Sequence, residues 1–267
     1  MRRSVVGHRM SRFSNLEFPQ DPGEADSPDR SVSIGEDHQL AEALKAYDRG
    51  DFERALRRYA RALEDNARSR PAWLGQVRML LEMERFEEAD AWADRALEVL
   101  PRDPEVLAAK AWARSCLGHP EEALALSDAS FEGGSPTPEV WLARGEVLLR
   151  RGDRQGDECL VEAENSGAGD WRVGWRAARI HMGHGRHAKA LSILQRAIHR
   201  EASAAVLWVQ RGECESVLGM RDAAEASFRR ALELRPDCPA AMAGLGQLTR
   251  LGVMGRVAGL WKRLQRQ

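Results

Sequence analysis

Apolar and small residues recur along the chain at helical spacing, in blocks that repeat about every 34 residues. The clearest marker is an alanine in the second half of a block, and the intervals between successive markers are 34, 34, 67, 34 and 34. The interval of 67 divides into 34 and 33 if Asp157 holds the missing place. A period of about 20–50 residues is typical of solenoids and other repeat arrays. The markers are Ala55, Ala89, Ala123, Ala190, Ala224 and Ala258.

Turn and cap residues divide each block into two helices. Before the first helix stands a cap with proline, as in Asp103-Pro104-Glu105 and Thr137-Pro138-Glu139, where a side-chain oxygen can accept amide hydrogen bonds. A glycine that ends the first helix stands five residues before most of the markers, with Glu84 and Val253 as exceptions. We therefore expect seven antiparallel pairs, with units starting near 36, 70, 104, 138, 171, 205 and 239. The glycines are Gly50, Gly118, Gly152, Gly185 and Gly219.

These blocks resemble tetratricopeptide repeats over about residues 36–267. The resemblance implies an all-α fold, an α-solenoid of about seven antiparallel helix pairs forming a right-handed superhelix. Unit four is the least regular, because Asp157 and Glu164 stand where small apolar residues are expected, so its second helix is predicted to be short or displaced. The fullest match is Trp208, Gly212, Gly219, Ala224, Phe228, Ala231 and Pro236, followed by Trp73, Phe86, Ala89, Ala96 and Pro101.

The two ends of the chain differ from the repeats. Residues 1–35 are polar, acidic and interrupted by prolines, which predicts a tail that is disordered or laid over the surface. Met10 is an alternative translation start to Met1. Residues 36–267 form the predicted solenoid. Its C-terminal capping helix carries Val257, Leu260, Trp261 and Leu264 on one face.

Composition narrows the functional classes. Forty basic and 41 acidic residues leave a net charge of −1, so the chain has no overall basic field for nucleic acid or anionic lipid. The four cysteines are widely spaced and are predicted to be small buried side chains. Because no apolar stretch reaches the roughly 20 residues that span a bilayer, we expect no membrane association and a cytoplasmic location.

The chain contains no phosphate-binding glycine loop, dinucleotide motif or hydrolase motif. We therefore predict that it is not an enzyme and needs no cofactor. His181, His184 and His187 could ligate zinc or nickel, but they span a predicted turn, where helical spacing does not hold. A tolerated cluster of turn residues is the preferred interpretation, and we predict no metal site there.

The resemblance implies a working surface on the concave face, lined by the first helices. The carboxylate clamp that this family uses for chaperone C-termini needs lysines and asparagines, which the matching positions lack. Tryptophans and arginines, which dominate binding hot spots, remain among glutamates. The alternative is that these tryptophans pack between repeats. We predict a non-catalytic scaffold that binds a partner protein or peptide through Arg78, Trp112, Glu146, Trp175, Arg179 and Glu213.

A competing hypothesis is a helical repeat protein that binds nucleic acid. Unit five carries several arginines, and the chain has no acidic residue after Asp237. Cations near the end of a C-terminal helix also suit the helix dipole, which needs no nucleic acid. The neutral overall charge argues against this class. The basic residues concerned are Arg172, Arg176, Arg179, Arg250, Arg256, Lys262, Arg263 and Arg266.

Overall fold

The computed structural model describes residues 30–167 and 169–250. Twelve complete helices follow one another in these ranges, a thirteenth covers 239–250, and the described residues contain no β-strand. We label them α1 to α13 in chain order. The complete helices are α1 Arg30–Asp48, α2 Phe52–Asp65, α3 Arg70–Glu82, α4 Phe86–Val99, α5 Pro104–Cys116, α6 Pro120–Ala129, α7 Pro138–Arg150, α8 Gln155–Ser166, α9 Trp171–Gly183, α10 His187–Arg200, α11 Ala205–Val217 and α12 Arg221–Leu234.

The helices pair in the predicted phase. The odd-numbered helices are the first helices of units one to seven. From α3 onwards, each of these first helices begins at the residue predicted from the repeat period. Only α1 differs, because it begins at Arg30 rather than near residue 36. Of the predicted tail over residues 1–35, residues 1–29 lie outside the described part of the chain and residues 30–35 belong to α1. The predicted capping helix over 251–267 also lies outside the described part. The all-α repeat fold is confirmed.

The turns between paired helices have the left-handed backbone conformation that their glycines predict. Gly50 and the other four glycines at this position have positive φ, which glycine adopts without steric cost. Glu84, the exception named from the sequence, adopts the same left-handed conformation with φ 58°. Among the caps, Asp103 accepts from the amides of Glu105 and Val106, whereas the hydroxyl of Thr137 caps no amide.

Aromatic rings of the second helices lie directly over glycines of the first helices. An added Cβ on Gly212 or Gly244 would lie 2.8 Å or 2.5 Å from the ring of Phe228, so one ring contacts its own unit and the next. Gly75 meets the ring of Tyr59 in the same way. Stacking each pair on the next in this way buries the apolar faces that a single pair leaves open.

Unit four keeps the close helix contact through a residue that the sequence pattern missed. Gly156, not Asp157, lies at the contact: a Cβ on Gly156 would be 2.8 Å from the carbonyl oxygen of Gly145. Asp157 points outward and pairs with Arg186 and Lys189 at 2.7 and 2.8 Å. The prediction of Asp157 at this place was therefore wrong by one residue. The second helix is not short, since α8 has 12 residues and α6 has 10.

Cysteine burial agrees with the interpretation drawn from their spacing. All four are free, and Cys159, Cys214 and Cys238 are buried. Burial raises the pKa of the Cys214 thiol to about 12, which keeps it protonated and unreactive. None of the described helices has the length and apolar character needed to cross a bilayer.

Candidate functional site

The six predicted partner-binding residues all lie on first helices. Arg78 is on α3, Trp112 on α5 and Glu146 on α7. The next two first helices supply the rest: α9 carries Trp175 and Arg179, and α11 carries Glu213. Their surroundings differ sharply, because α9 packs back against unit one.

Trp175 is buried in contact with unit one rather than exposed. Its ring centroid lies 5.1 Å from that of Tyr47 and 6.0 Å from that of Phe52, and the residue is only 1% exposed. Trp171 adds a third ring at 5.9 Å. The expectation that Trp175 is a partly exposed anchor is therefore wrong, because the curvature of the repeat stack brings α9 onto the end of α1.

The arginines of α9 pair with carboxylates of earlier units. Arg172 donates from Nε and Nη2 to both carboxylate oxygens of Asp48, at 2.6 Å each. Arg179 places its Nε 2.8 Å from Glu82 Oε2 and donates from Nη2 to the Glu82 carbonyl at 3.0 Å. Bidentate pairs of this kind fix orientation as well as charge. Arg172 and Arg179 thus bind the chain itself.

Glu139 of α7 links two arginines across the middle of the concave face. Arg78 Nη2 donates to Glu139 Oε1 at 3.0 Å, and Arg176 Nη1 donates to the same oxygen at 3.2 Å. Burial alone raises the pKa of Glu139, but Arg78 and Arg176 outweigh it and the pKa falls below its usual value. Arg176 also lies 3.3 Å from Glu82, which makes it a bridge between α3 and α7.

Little space remains between these side chains. Trp112, Arg78, Glu139 and Arg176 line a cavity of about 20 Å³. A cavity needs about 10–15 Å³ of this measure to hold one water, so there is room for a water molecule and not for a peptide. The deep part of the concave face is filled by the chain's own side chains.

Glu146 is also committed to internal contacts. It is buried, with Oε1 2.6 Å from Arg150 Nη2 and Oε2 2.9 Å from His184 Nε2. Burial by itself raises the pKa of Glu146, while the hydrogen bond with His184 and the charge of Arg150 lower it overall. The expectation that Glu146 faces a partner does not fit this burial, because α7 turns it towards the α9–α10 turn.

Glu213 has a different environment. It is partly buried on α11, and its burial raises its pKa, which the charge of Arg179 partly offsets. Arg179 nevertheless gives its hydrogen bonds to Glu82. Glu213 therefore stays a candidate for partner contact.

Two of the three histidines near the α9–α10 turn lie beside different carboxylates. His184 contacts Glu146, whereas Nδ1 of the buried His181 lies 3.8 Å from Asp157 Oδ1. Among the residues that the structure describes, no group of three or more histidine, cysteine or carboxylate side chains is placed to hold a metal ion. His181 lies inside α9, His184 caps its C-terminal end, and His187 begins α10.

The repeat pattern did not indicate the residues that contact α9. Tyr47, Asp48 and Phe52 lie around the first turn, and Glu82 and Glu139 come from other units. One weak signal exists: α9 contains three arginines and no acidic residue, so its charges need carboxylates from other helices.

Comparisons with known proteins agree with this architecture. Family models described as tetratricopeptide repeat match residues 46–113 and 217–252. No curated protein matches the chain by sequence.

Solved structures share the fold at low sequence identity. A tetratricopeptide repeat protein from Parabacteroides merdae is 16% identical with a TM-score of 0.51, covering 80% of this chain and 84% of that one. The human IFIT1 dimer with m7Gppp-AAAA is 19% identical with a TM-score of 0.50, covering 84% and 66%. The repeat phase, the glycine turns and the two family matches lead to one conclusion: the chain belongs to the tetratricopeptide repeat family.

Proposed function

We propose that this chain is a non-catalytic scaffold that binds a segment of a partner protein at the accessible part of its concave face. The observation that carries the proposal is a strip of first-helix side chains that stay reachable beside the filled centre. Leu44 on α1 is 43% exposed, and Arg78 on α3 keeps about a quarter of its side chain exposed. Trp112 on α5 occupies the equivalent position of unit three and is partly buried.

The chemistry of this strip suits a peptide rather than a small molecule. Leu44 and Trp112 offer apolar contact to a bound peptide. The guanidinium of Arg78 beside Glu139 can orient that peptide through its charge. Grooves of helical repeats bind extended or helical segments in this manner. The partner predicted here is therefore a protein segment with an apolar residue and a charged residue close together.

Nucleic-acid binding has less support. The structural neighbour human IFIT1 is described with m7Gppp-AAAA, but here Arg172, Arg176 and Arg179 are all paired with carboxylates. Paired arginines release few counterions from a phosphate backbone, and such release drives most nucleic-acid binding. We expect no tight complex with RNA or DNA whose affinity falls steeply with salt.

The test compares two substitutions of exposed apolar residues by glutamate. Leu44→Glu changes the proposed strip, and Val161→Glu changes a residue of α8 that is 52% exposed. Affinity capture from the source cells should yield a protein that binds wild type and Val161→Glu but not Leu44→Glu. Trp112→Ala should weaken that partner's binding about thirtyfold, as for a hot spot of about 2 kcal/mol. Equal capture by both glutamate variants would remove the strip from consideration.

A further inference from the structure

Unit one touches units five and six although they are far apart in the chain. Asp48 pairs with Arg172, Phe52 and Tyr47 enclose Trp175, and a Cβ on Gly50 would lie 3.2 Å from Val206 Cγ1 of α11. We call this contact the closing seam. It consists of Tyr47, Asp48, Gly50 and Phe52 on one side and Trp171, Arg172, Trp175 and Val206 on the other.

We propose that the closing seam is a latch that separates without unfolding the repeats and so controls access to the deep concave face. The proposal rests on the scaffold function above, since the latch regulates that same surface. A closed seam buries Trp175 and places the ring of Phe52 against the guanidinium of Arg179. An open seam uncovers these groups, which are residue types that dominate binding hot spots.

The seam is thinner than the contacts between consecutive helices, because the backbones of α1 and α9 approach each other at few positions. A cleft of about 440 Å³ lies along it, lined by Asp48, Arg49, Arg172, Glu201 and Arg235. The cavity among α3, α5, α7 and α9 measures only about 20 Å³. Water therefore reaches one flank of the seam already, and its polar groups can be hydrated when it opens.

The seam itself is held by one ion pair, one hydrogen bond and one aromatic contact, while α9 also forms ion pairs with Glu82 of unit two beside it. The Arg172–Asp48 pair is bidentate, but both side chains are nearly one-third exposed, and exposed ion pairs contribute little. Arg235 donates to the carbonyl of Arg49, which adds one hydrogen bond across the cleft. The aromatic contact of Trp175 with Tyr47 and Phe52 is the main apolar element.

Opening the seam leaves the helix stack intact. α1 packs chiefly on α2, and α9 packs chiefly on α10 with α7 and α8 beside it, so both helices keep most of their contacts when the seam opens. A partner that contacts Trp175 or Arg179 binds the open form only. Its binding free energy then shifts the equilibrium towards that form.

The experiment reverses the charge at Asp48 and measures the solvent protection of two buried tryptophans. Asp48→Arg places an arginine opposite Arg172, which turns attraction into repulsion. Hydroxyl-radical footprinting of the full chain then compares Trp175, which is 1% exposed, with Trp73, which is 2% exposed inside the stack. We expect Trp175 to lose protection while Trp73 keeps it. The double variant Asp48→Arg with Arg172→Asp should protect Trp175 again.

Three results would overturn the latch. If both tryptophans stay protected in Asp48→Arg, the seam does not open under repulsion. If both lose protection together, opening cannot be separated from unfolding. If the double variant leaves Trp175 reactive, the ion pair does not hold the seam.

A partner identified by the Leu44→Glu comparison then tests the regulation separately. Its capture by Asp48→Arg should increase if the latch limits access. Unchanged capture by an open variant would overturn the regulatory role and leave the scaffold function standing. Failure to find any partner would count against the scaffold function, while the footprinting would still decide whether the seam opens.

Discussion

Gly156 of α8 and Gly145 of α7 bring two helix backbones into direct contact, with the carbonyl oxygen of Gly145 2.8 Å from an added Cβ on Gly156. The Leu149 side chain lies 2.7 Å from the same point. Gly156→Ala gains helix propensity of about 1 kcal/mol but overpacks the contact, and we expect a net loss of about 1–2 kcal/mol in the free energy of unfolding. Urea denaturation followed by circular dichroism measures this change.

Gly183 at the end of α9 provides the matched control. Apart from its chain neighbours and its own helix backbone, no atom lies within 4 Å of its added Cβ, and its φ is not in the left-handed region. Gly183→Ala should therefore leave stability unchanged or slightly raised. If Gly156→Ala were equally neutral, the two helices would not be in close contact in solution.

The marker alanines should tolerate no large side chain. Ala89 and Ala224 are fully buried on the second helices α4 and α12. Replacing either by leucine forces the paired helices apart and should cost about 1–3 kcal/mol of unfolding free energy. The exposed Ala243 of α13 offers the control, since leucine there should change stability little. A wild-type melting temperature for Ala224→Leu would contradict the assigned repeat phase.

Truncating Trp175 should destabilise the protein more than truncating Trp208, although their positions in the repeat pattern suggest the reverse. Trp208 matches the packing position of the family, yet it is partly exposed, with Nε1 donating to the Ala202 carbonyl. Trp175 matches a groove position, yet it is buried among aromatic rings. Trp175→Ala should cost about 3–5 kcal/mol, as for a large buried side chain, and Trp208→Ala should cost less. The urea midpoints of the two variants decide the order.

His181 should make the protein less stable in mild acid. Burial lowers the pKa of His181 to about 4, although Asp157 partly opposes this. The unfolded chain takes up a proton near pH 6.5 and the folded chain does so only near pH 4, so the free energy of unfolding falls as the pH drops through this window. The loss is at most about 3 kcal/mol. Denaturation curves at several pH values measure it.

The variant His181→Phe distinguishes the effect of His181 on the pH dependence of stability from the effect of the carboxylates. The pKa values of Glu139, Glu146 and Asp157 are lowered, so their contributions are lost mainly below pH 4.5, where unfolded carboxylates protonate. His181→Phe should remove the loss of stability between pH 6.5 and 4.5 only. A variant with the wild-type profile in that window would show that another group is responsible.

Local features of this fold could be predicted from the sequence, because each repeat carries its own signals. The helix starts at 104 and 138, the left-handed turn at Gly118 and the burial of Ala224 follow from caps, turns and small residues interpreted one unit at a time. Gly156 was missed because a strict period favoured Asp157 by one position. Such errors arise where a unit shifts its helix by a single residue.

The contact partners of α9 could not be predicted in this way. A small rotation between neighbouring repeats adds up over several units, and that sum decides whether unit five meets unit one. No local pattern records the sum, so Trp175 and Arg179 were interpreted as groove residues. Trp175 lies on a first helix, but its aromatic neighbours Tyr47 and Phe52 come from unit one.

Closure of the coil also changes how the molecule should fold. In an open array each repeat contacts only adjacent repeats, and the ends fray independently. The pair of Arg172 and Asp48 instead joins residues 124 positions apart, so contact order is higher and folding should be slower than for an open array of this length. Unit one is then no longer a free terminus, because losing it would expose Trp175 in unit five. While the seam is closed, the loss of unit one should therefore be coupled to units five and six, and an open seam should let unit one fray alone.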